Sequence, residues 1–239
     1  MNLKVEHLSR NYRGKKALND VSFELSAGST CLLLGPNGSG KTTLMKLIAG
    51  LVSPSAGEIS LDGEALRVAS KRAVAYMPTE NYFYNYMTVR DAGRYYADFF
   101  PDFDRAGYQA MCARAELEDN ARVRTLSSGM SAKLRLCLAL SRDAGLMMFD
   151  EPINGVDMIT RDWVLDEIGA RRGGGRVQLI STHLVEQAER LANCCLFLKN
   201  GALVRAGRME EICREKRLED VYREIYGAQG AGEGAEAHA

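Results

Sequence analysis

Gly35-Pro36-Asn37-Gly38-Ser39-Gly40-Lys41-Thr42-Thr43 follows the spacing G-x-x-x-x-G-K-[ST]. Residues of these types in this order can hold a chain of phosphates. The glycines clear side chains away, so that backbone N–H groups turn inward onto phosphate oxygens. Lys41 brings a full positive charge toward the β- and γ-phosphates, and the Thr42 hydroxyl is placed to ligate Mg²⁺. Further along, the apolar run Leu146-Met147-Met148-Phe149 ends in two carboxylates, Asp150 and Glu151. An Asp delivered on the tip of a hydrophobic strand holds the metal of such a phosphate site. A Glu beside it can accept a proton from an attacking water.

Both motifs need elements to aim them. Thr30 to Leu34 (TCLLL) reads as a short buried strand, and Lys41 to Ala49 as the helix after it, closed by Gly50. The N-terminus of that helix adds partial positive charge where phosphate would lie. Thr125-Leu126-Ser127-Ser128-Gly129-Met130 is a small-residue loop ahead of an apolar-rich helix, expected over Ser131 to Ala144. Ser127 and Gly129 there form a second possible anion site. Val177 to Ser181 reads as another buried strand, and it delivers Thr182-His183 to the edge of a parallel sheet where ligands bind.

The remaining chain alternates between strand and helix patterns. Residues 1–25 read as β, from the alternation of Leu3 and Val5 and of Val21, Phe23 and Leu25. Tyr12 lies in a turn-prone stretch and is either a surface residue or a flat platform for a base. Glu58 to Leu61 reads as a strand with a turn at Asp62-Gly63. Val74 to Met77 is a strand ending at Pro78. The run Thr79 to Met87 carries Tyr82, Phe83, Tyr84 and Tyr86, which serve either as core or as a surface that docks something. Thr88 to about Leu117 turns helical with a break at Pro101-Asp102. Trp163 to Ile168 and Glu186 to Ala192 read as helices, Cys194 to Leu198 as a strand, and Asn200-Gly201 as a tight turn. Leu218, Val221, Tyr222 and Ile225 mark one face of a closing helix. The Gly/Ala/Glu-rich stretch 227–239 has the composition of a disordered tail.

Composition narrows the class. The chain has 239 residues, 46% of them hydrophobic and 26% charged, enough for a substantial core. Its 31 basic and 31 acidic residues balance, which argues against nucleic acid as a partner. No apolar run approaches the ~18–20 residues that span a bilayer, and no signal peptide opens the chain. The six cysteines form no C-x-x-C pair and read as reduced thiols of a cytoplasmic protein.

Taken in order, these residues resemble the ATP-binding cassette of the ABC transporter family, over roughly 1–226. GPNGSGKTT resembles the family's Walker A segment, and LMMFDE resembles Walker B with its glutamate. LSSGM stands where the family has LSGGQ, NGVD where it has the D-loop, and STH where it has the switch histidine. Tyr12 stands at the family's adenine-stacking aromatic. The resemblance implies an α/β fold: a P-loop NTPase (RecA-like) core, an antiparallel β subdomain, and an inserted α-helical subdomain at about 86–145. It implies an ATPase using ATP and Mg²⁺. The expected ATP-binding residues are Tyr12, Gly35, Pro36, Asn37, Gly38, Ser39, Gly40, Lys41, Thr42 and Thr43, with Thr42 and Asp150 on Mg²⁺. The expected catalytic residues are Glu151 and His183. Ser127, Ser128 and Gly129 would touch the ATP of a second cassette, in a homodimer or heterodimer, and Asp157 would link the two sites. The partner implied is a separately encoded transmembrane permease, with this chain peripheral on the inner face of the cell membrane. Bacterial export is the leading expectation. A soluble ABC ATPase serving a non-transport assembly machine is the alternative, and a P-loop kinase leaves LSSGM without a use.

Three positions depart from the family pattern. Ser128 replaces the first paired glycine of the signature, and Met130 replaces its glutamine. At the Q-loop, Thr79 followed by Glu80 stands where a glutamine is usual. Threonine is too short to copy that reach, so Glu80, or a water held by Thr79, is expected to substitute.

Overall fold

The computed structural model describes residues 1–227, so all but Gly227 of the tail 227–239 lies outside the described residues. Strands β1 (Leu3–Tyr12) and β2 (Lys15–Leu25) form a hairpin through Arg13-Gly14. They continue into an antiparallel sheet of order β2-β1-β4-β5 with β4 (Ala56–Leu61) and β5 (Glu64–Ala65). Asp62 and Gly63 turn β4 into β5 with φ of 50° and 81°, the paired positive angles of a two-residue hairpin.

The second sheet holds the motifs. Its order is β10-β9-β3-β8-β7-β6, built from β3 (Thr30–Leu34), β6 (Val74–Met77), β7 (Leu146–Asp150), β8 (Val177–Thr182), β9 (Cys194–Lys199) and β10 (Ala202–Arg208). All neighbours pair in parallel except β10, which runs antiparallel along β9. Both faces are covered, so its central strands are apolar throughout instead of alternating. Cys31 and Leu33 of β3 point into one core, shared with the antiparallel sheet and with helix α1 (Lys41–Ile48). Leu32 and Leu34 point into the other, shared with the helices that follow β6. Strand pleating thus divides the interior into two cores on either side of one sheet.

Three helices occupy the stretch between β6 and β7: α2 (Val89–Phe99), α3 (Arg105–Arg114) and α4 (Ser128–Leu140). Thr88 opens α2 with a capping box to Asp91, and Asp104 caps α3. Helix α4 begins three residues earlier than the apolar pattern suggests, because Ser127 accepts a hydrogen bond from the Met130 N–H and caps it. It ends four residues earlier than expected. There Ser141 bonds back to the Cys137 carbonyl, and Arg142 is drawn off to Asp102 and the Arg72 carbonyl. Helix α5 (Met158–Ala170) is twice the expected length, since Asp157 caps it six residues before Trp163. Beyond β8 come a single helical turn α6 (Val185–Ala188), and later α7 (Met209–Ile212) and α8 (Leu218–Tyr226).

Phe149 is fully buried directly before Asp150, whereas Ile159 on α5 is 83% exposed. Phe149→Ala is expected to destabilise the chain by about 3–5 kcal/mol, the range for emptying an aromatic core position. Ile159→Ala is expected to change stability by less than about 0.5 kcal/mol. Urea midpoints measure both, and equal losses would contradict this placement.

Candidate functional site

The C-terminal tips of β3, β6, β7 and β8 lie along one edge of the parallel sheet, where the strand ends and helix N-termini of such folds form a crevice. A cleft of about 670 Å³ opens there. Its walls include Gly38, Gly40, Lys41, Thr42, Asp150 and Glu151.

Residues 35–40 leave β3 and turn into α1, which has no acidic residue in its first turn. The loop is tightly seated. A Cβ on Gly35 would lie 2.4 Å from the Leu198 carbonyl oxygen, and one on Gly40 would lie 2.7 Å from that of Ala17. Gly40 also has φ of 109°, a conformation that L side chains rarely adopt. Gly38 faces open space, so the cradle is unobstructed. Ser39 is buried and its hydroxyl has no hydrogen-bond partner among the described residues.

Lys41 is buried at the floor of the cleft. Its ammonium donates to the carbonyls of Gly35 (2.7 Å) and Pro36 (3.3 Å) and sits 3.2 Å from Glu151 Oε1. Among the described residues that Oε1 makes no hydrogen bond, so the Lys41–Glu151 contact is an ionic approach without a directed bond. The other carboxylate oxygen, Oε2, lies 3.0 Å from His183 Nδ1. Glu151 has φ of 49°, a left-handed conformation costly for a residue with a side chain and typical of functional positions. Ser181 holds it there, its carbonyl (3.1 Å) and hydroxyl (2.9 Å) both accepting from the Glu151 N–H.

Asp150 is fully buried, and each of its oxygens has a donor. The Ser181 hydroxyl donates to Oδ1 at 2.5 Å and the Tyr76 hydroxyl to Oδ2 at 3.2 Å. Burial, then the charge of Asp150, pushes the Tyr76 phenol well above its usual range, so it stays a donor. Thr79 donates its hydroxyl to the Asp150 carbonyl oxygen at 3.1 Å. Its proton is therefore spent on the strand, while Glu80 lines the cleft. The guanidinium of Arg135, two turns into α4, donates to the Pro78 carbonyl (2.6 Å) and to that of Thr79. This ties α4 to the loop after β6.

Other expected residues lie apart from the cleft wall. Tyr12 stands at the end of β1, beside Lys15 and Lys16 of the wall, with the Arg10 guanidinium 4.5 Å from its ring centre. Ser127 and Asp157 cap α4 and α5, and the two caps touch. A Cβ on Gly129 would lie 3.0 Å from Thr160 Oγ1 and 3.4 Å from Asp157 Oδ2. Both Asp157 oxygens accept from Thr160, and these bonds, the backbone one foremost, hold its carboxyl below the usual range. Ser127, Ser128, Gly129 and Asp157 form a second cluster that contributes nothing to the walls of the cleft in the same chain. Tyr76, Ser181 and Arg135 were not foreseen. Their importance comes from contacts with residues 31 to 74 positions away, which no local pattern reports.

The family model described as ABC transporter matches residues 18–154. The Nod factor export ATP-binding protein I of Rhizobium johnstonii is 34% identical over 217 residues, covering 87% of this chain and 70% of that protein. Among solved structures, an ATP-binding subunit of an ABC transporter superposes with a TM-score of 0.83 at 28% identity, covering 94% of this chain and 99% of the other. A dimeric ATP-binding cassette, MJ0796, in a post-hydrolysis state bound to ADP and Pi, shares the fold. Its TM-score is 0.78 at 20% identity, over 87% of this chain and 98% of that one.

Replacing Glu151 by Gln keeps the shape but removes the carboxylate expected to act as base. Glu151→Gln is expected to retain ATP binding and to slow hydrolysis about 10²–10⁴-fold, the range for losing a general base. Phosphate release under single-turnover conditions checks this, and near wild-type turnover would remove Glu151 from the role.

Proposed function

The chain belongs to the ABC transporter family and is an ATP-binding, ATP-hydrolysing cassette, and on that premise we propose that it drives a bacterial exporter by closing with a second cassette around ATP. The observation that carries the chemical part is the cluster of Lys41, Glu151 and His183 at the head of the phosphate loop. In this reading the loop amides and Lys41 bind the phosphates. Glu151 takes a proton from the attacking water, and His183, tied to Glu151 through Nδ1, fixes the carboxylate's orientation.

Thr42 and Asp150 would hold Mg²⁺, which neutralises charge on the phosphate oxygens. Their oxygens are the hard donors that this ion prefers. Among the described residues no three His, Cys, Asp or Glu side chains group into a self-sufficient metal site. That fits an ion whose remaining ligands are phosphates and water.

The dimer follows from what each chain lacks. The Ser127–Gly129 loop at the N-terminus of α4 is suited to phosphate but stands outside its own cleft. Beside it Met158 and Ile159 lie exposed on the first turn of α5. A second cassette, head to tail, covers this apolar step and brings the loop onto the γ-phosphate.

The membrane partner is assigned to a groove of about 460 Å³ that shares Tyr76, Pro78 and Glu80 with the nucleotide cleft. Leu51, Tyr82 and Phe100 make its wall largely apolar. Tyr84 and Tyr86 stack at 5.4 Å nearby and are both exposed. No helix among the described residues is long and apolar enough to cross a membrane. A separately encoded permease, presenting a helix to this groove, fits both facts, and it places the chain on the inner face of the membrane. Export is the direction supported by the named relative.

Replacing Tyr84 and Tyr86 together by serine is expected to leave ATPase of the isolated chain within about twofold, since exposed substitutions away from the cleft perturb little. Stimulation by the permease is expected to fall at least tenfold, as when aromatic anchors are lost from an interface (~1.4 kcal/mol per tenfold). Unaltered stimulation in reconstituted vesicles would reject this docking face.

A further inference from the structure

Helix α8 belongs to none of the motifs above, yet it reaches the root of the phosphate loop. Leu218 and Val221 are buried in the same core cluster as Ile180, Val185 and Phe197, which fixes the helix against the strands that carry the site. At its far end the Tyr226 hydroxyl stands 3.1 Å from the Leu34 carbonyl oxygen and 3.1 Å from that of Leu198, sharing its proton between them. The ring lies 6.5 Å from Phe197 and 4.4 Å from Tyr222, centre to centre. Lys199 adds a second tie, its ammonium donating to the Ile225 carbonyl at 2.7 Å.

The place of these bonds gives them meaning. The register between β3 and β9 ends with Leu34 opposite Phe197, and Tyr226 bonds where the two strands part. Leu34 is the last residue of β3, and Gly35 begins the loop. The Leu198 carbonyl is the surface on which Gly35 rests, closely enough that no Cβ fits between them. The phenol therefore holds both the strand that enters the loop and the floor beneath its first residue. Burial raises the Tyr226 pKa, with Tyr222 second, so the group remains a donor. The same helix also packs against α6, the turn that follows His183 in the chain. Tyr222 feels the charge of Glu151, second to burial, as an upward push on its own pKa.

We propose that α8 is a brace for the nucleotide site, with Tyr226 as the positioning residue that sets the root of the phosphate loop. The inference rests on the reading of residues 35–43 as the ATP loop. Coupling of this kind is reciprocal. If α8 fixes the loop for phosphate, phosphate bound in the loop must fix α8.

Hydrogen exchange of the full chain, read by mass spectrometry with and without MgATP, tests this directly. Wild type is expected to exchange the amides of 221–226 at least threefold more slowly when MgATP is bound. Tyr226→Phe is expected to lose that protection and to bind ATP about threefold to tenfold more weakly, the loss attending one hydrogen bond. In turnover, KM should rise while kcat changes less than twofold, a split that general loss of stability would not give. Lys199→Met, which cuts the other tie, should halve the protection at least, with the melting temperature of both variants showing that they fold. Binding of MgATP by wild type with unchanged exchange in 221–226 overturns the brace but leaves the ATP loop standing. An unchanged KM in Tyr226→Phe overturns it equally. Absence of MgATP binding by wild type overturns both.

Discussion

A buried ammonium needs anionic or carbonyl partners, and much of this structure follows from how Lys41 finds them. It leans on two carbonyls of its own loop and on Glu151. Breaking a buried pair by removing one partner is costly, while exchanging one anion for another costs much less. A γ-phosphate arriving in the cleft offers Lys41 a better-directed anion than Glu151 Oε1, which makes no hydrogen bond. In the proposed mechanism, phosphate binding would release the carboxylate for water. The left-handed backbone at Glu151, pinned by Ser181, fixes where that carboxylate stands. Binding and catalytic readiness are thus linked through one pair of side chains.

The parallel sheet makes this economical in residues. Four strand tips converge on one edge, so Lys41, Asp150, Glu151 and His183 arrive there from distant sequence positions without long loops. Ser181 serves two neighbours at once, donating to Asp150 and accepting from Glu151. The inserted helices hang from the same strands, and Arg135 fastens α4 to the loop that carries Thr79 and Glu80. Motion of the signature end of α4 is therefore felt in the chain's own cleft. In the proposed two-cassette assembly, such a link would give the two sites a mechanical path to each other.

Much of the site was legible in the sequence because its motifs are local. The glycine loop, LMMFDE and the small-residue loop before α4 each declare themselves within nine residues, and the strands beneath them are short apolar runs. The closing hairpin strand β10 was not legible, since Ala202 to Arg208 is half exposed along an edge and carries no clean alternation. The start of helix α5 is hidden because the sequence assigns its cap, Asp157, to the D-loop. Tyr76, Ser181, Arg135 and Tyr226 escaped notice for a common reason. Each acts through hydrogen bonds to residues far away in sequence, and a single chain offers no pattern for such pairings.

The central claim is that ATP joins two cassettes because neither chain completes the site by itself. Sedimentation of the Glu151→Gln chain, alone and with a second cassette where one is encoded alongside, measures this most directly. Saturating MgATP should convert the chain to a two-cassette species that falls apart when nucleotide is removed. A chain that demonstrably binds MgATP and still sediments as a monomer under both conditions would contradict it.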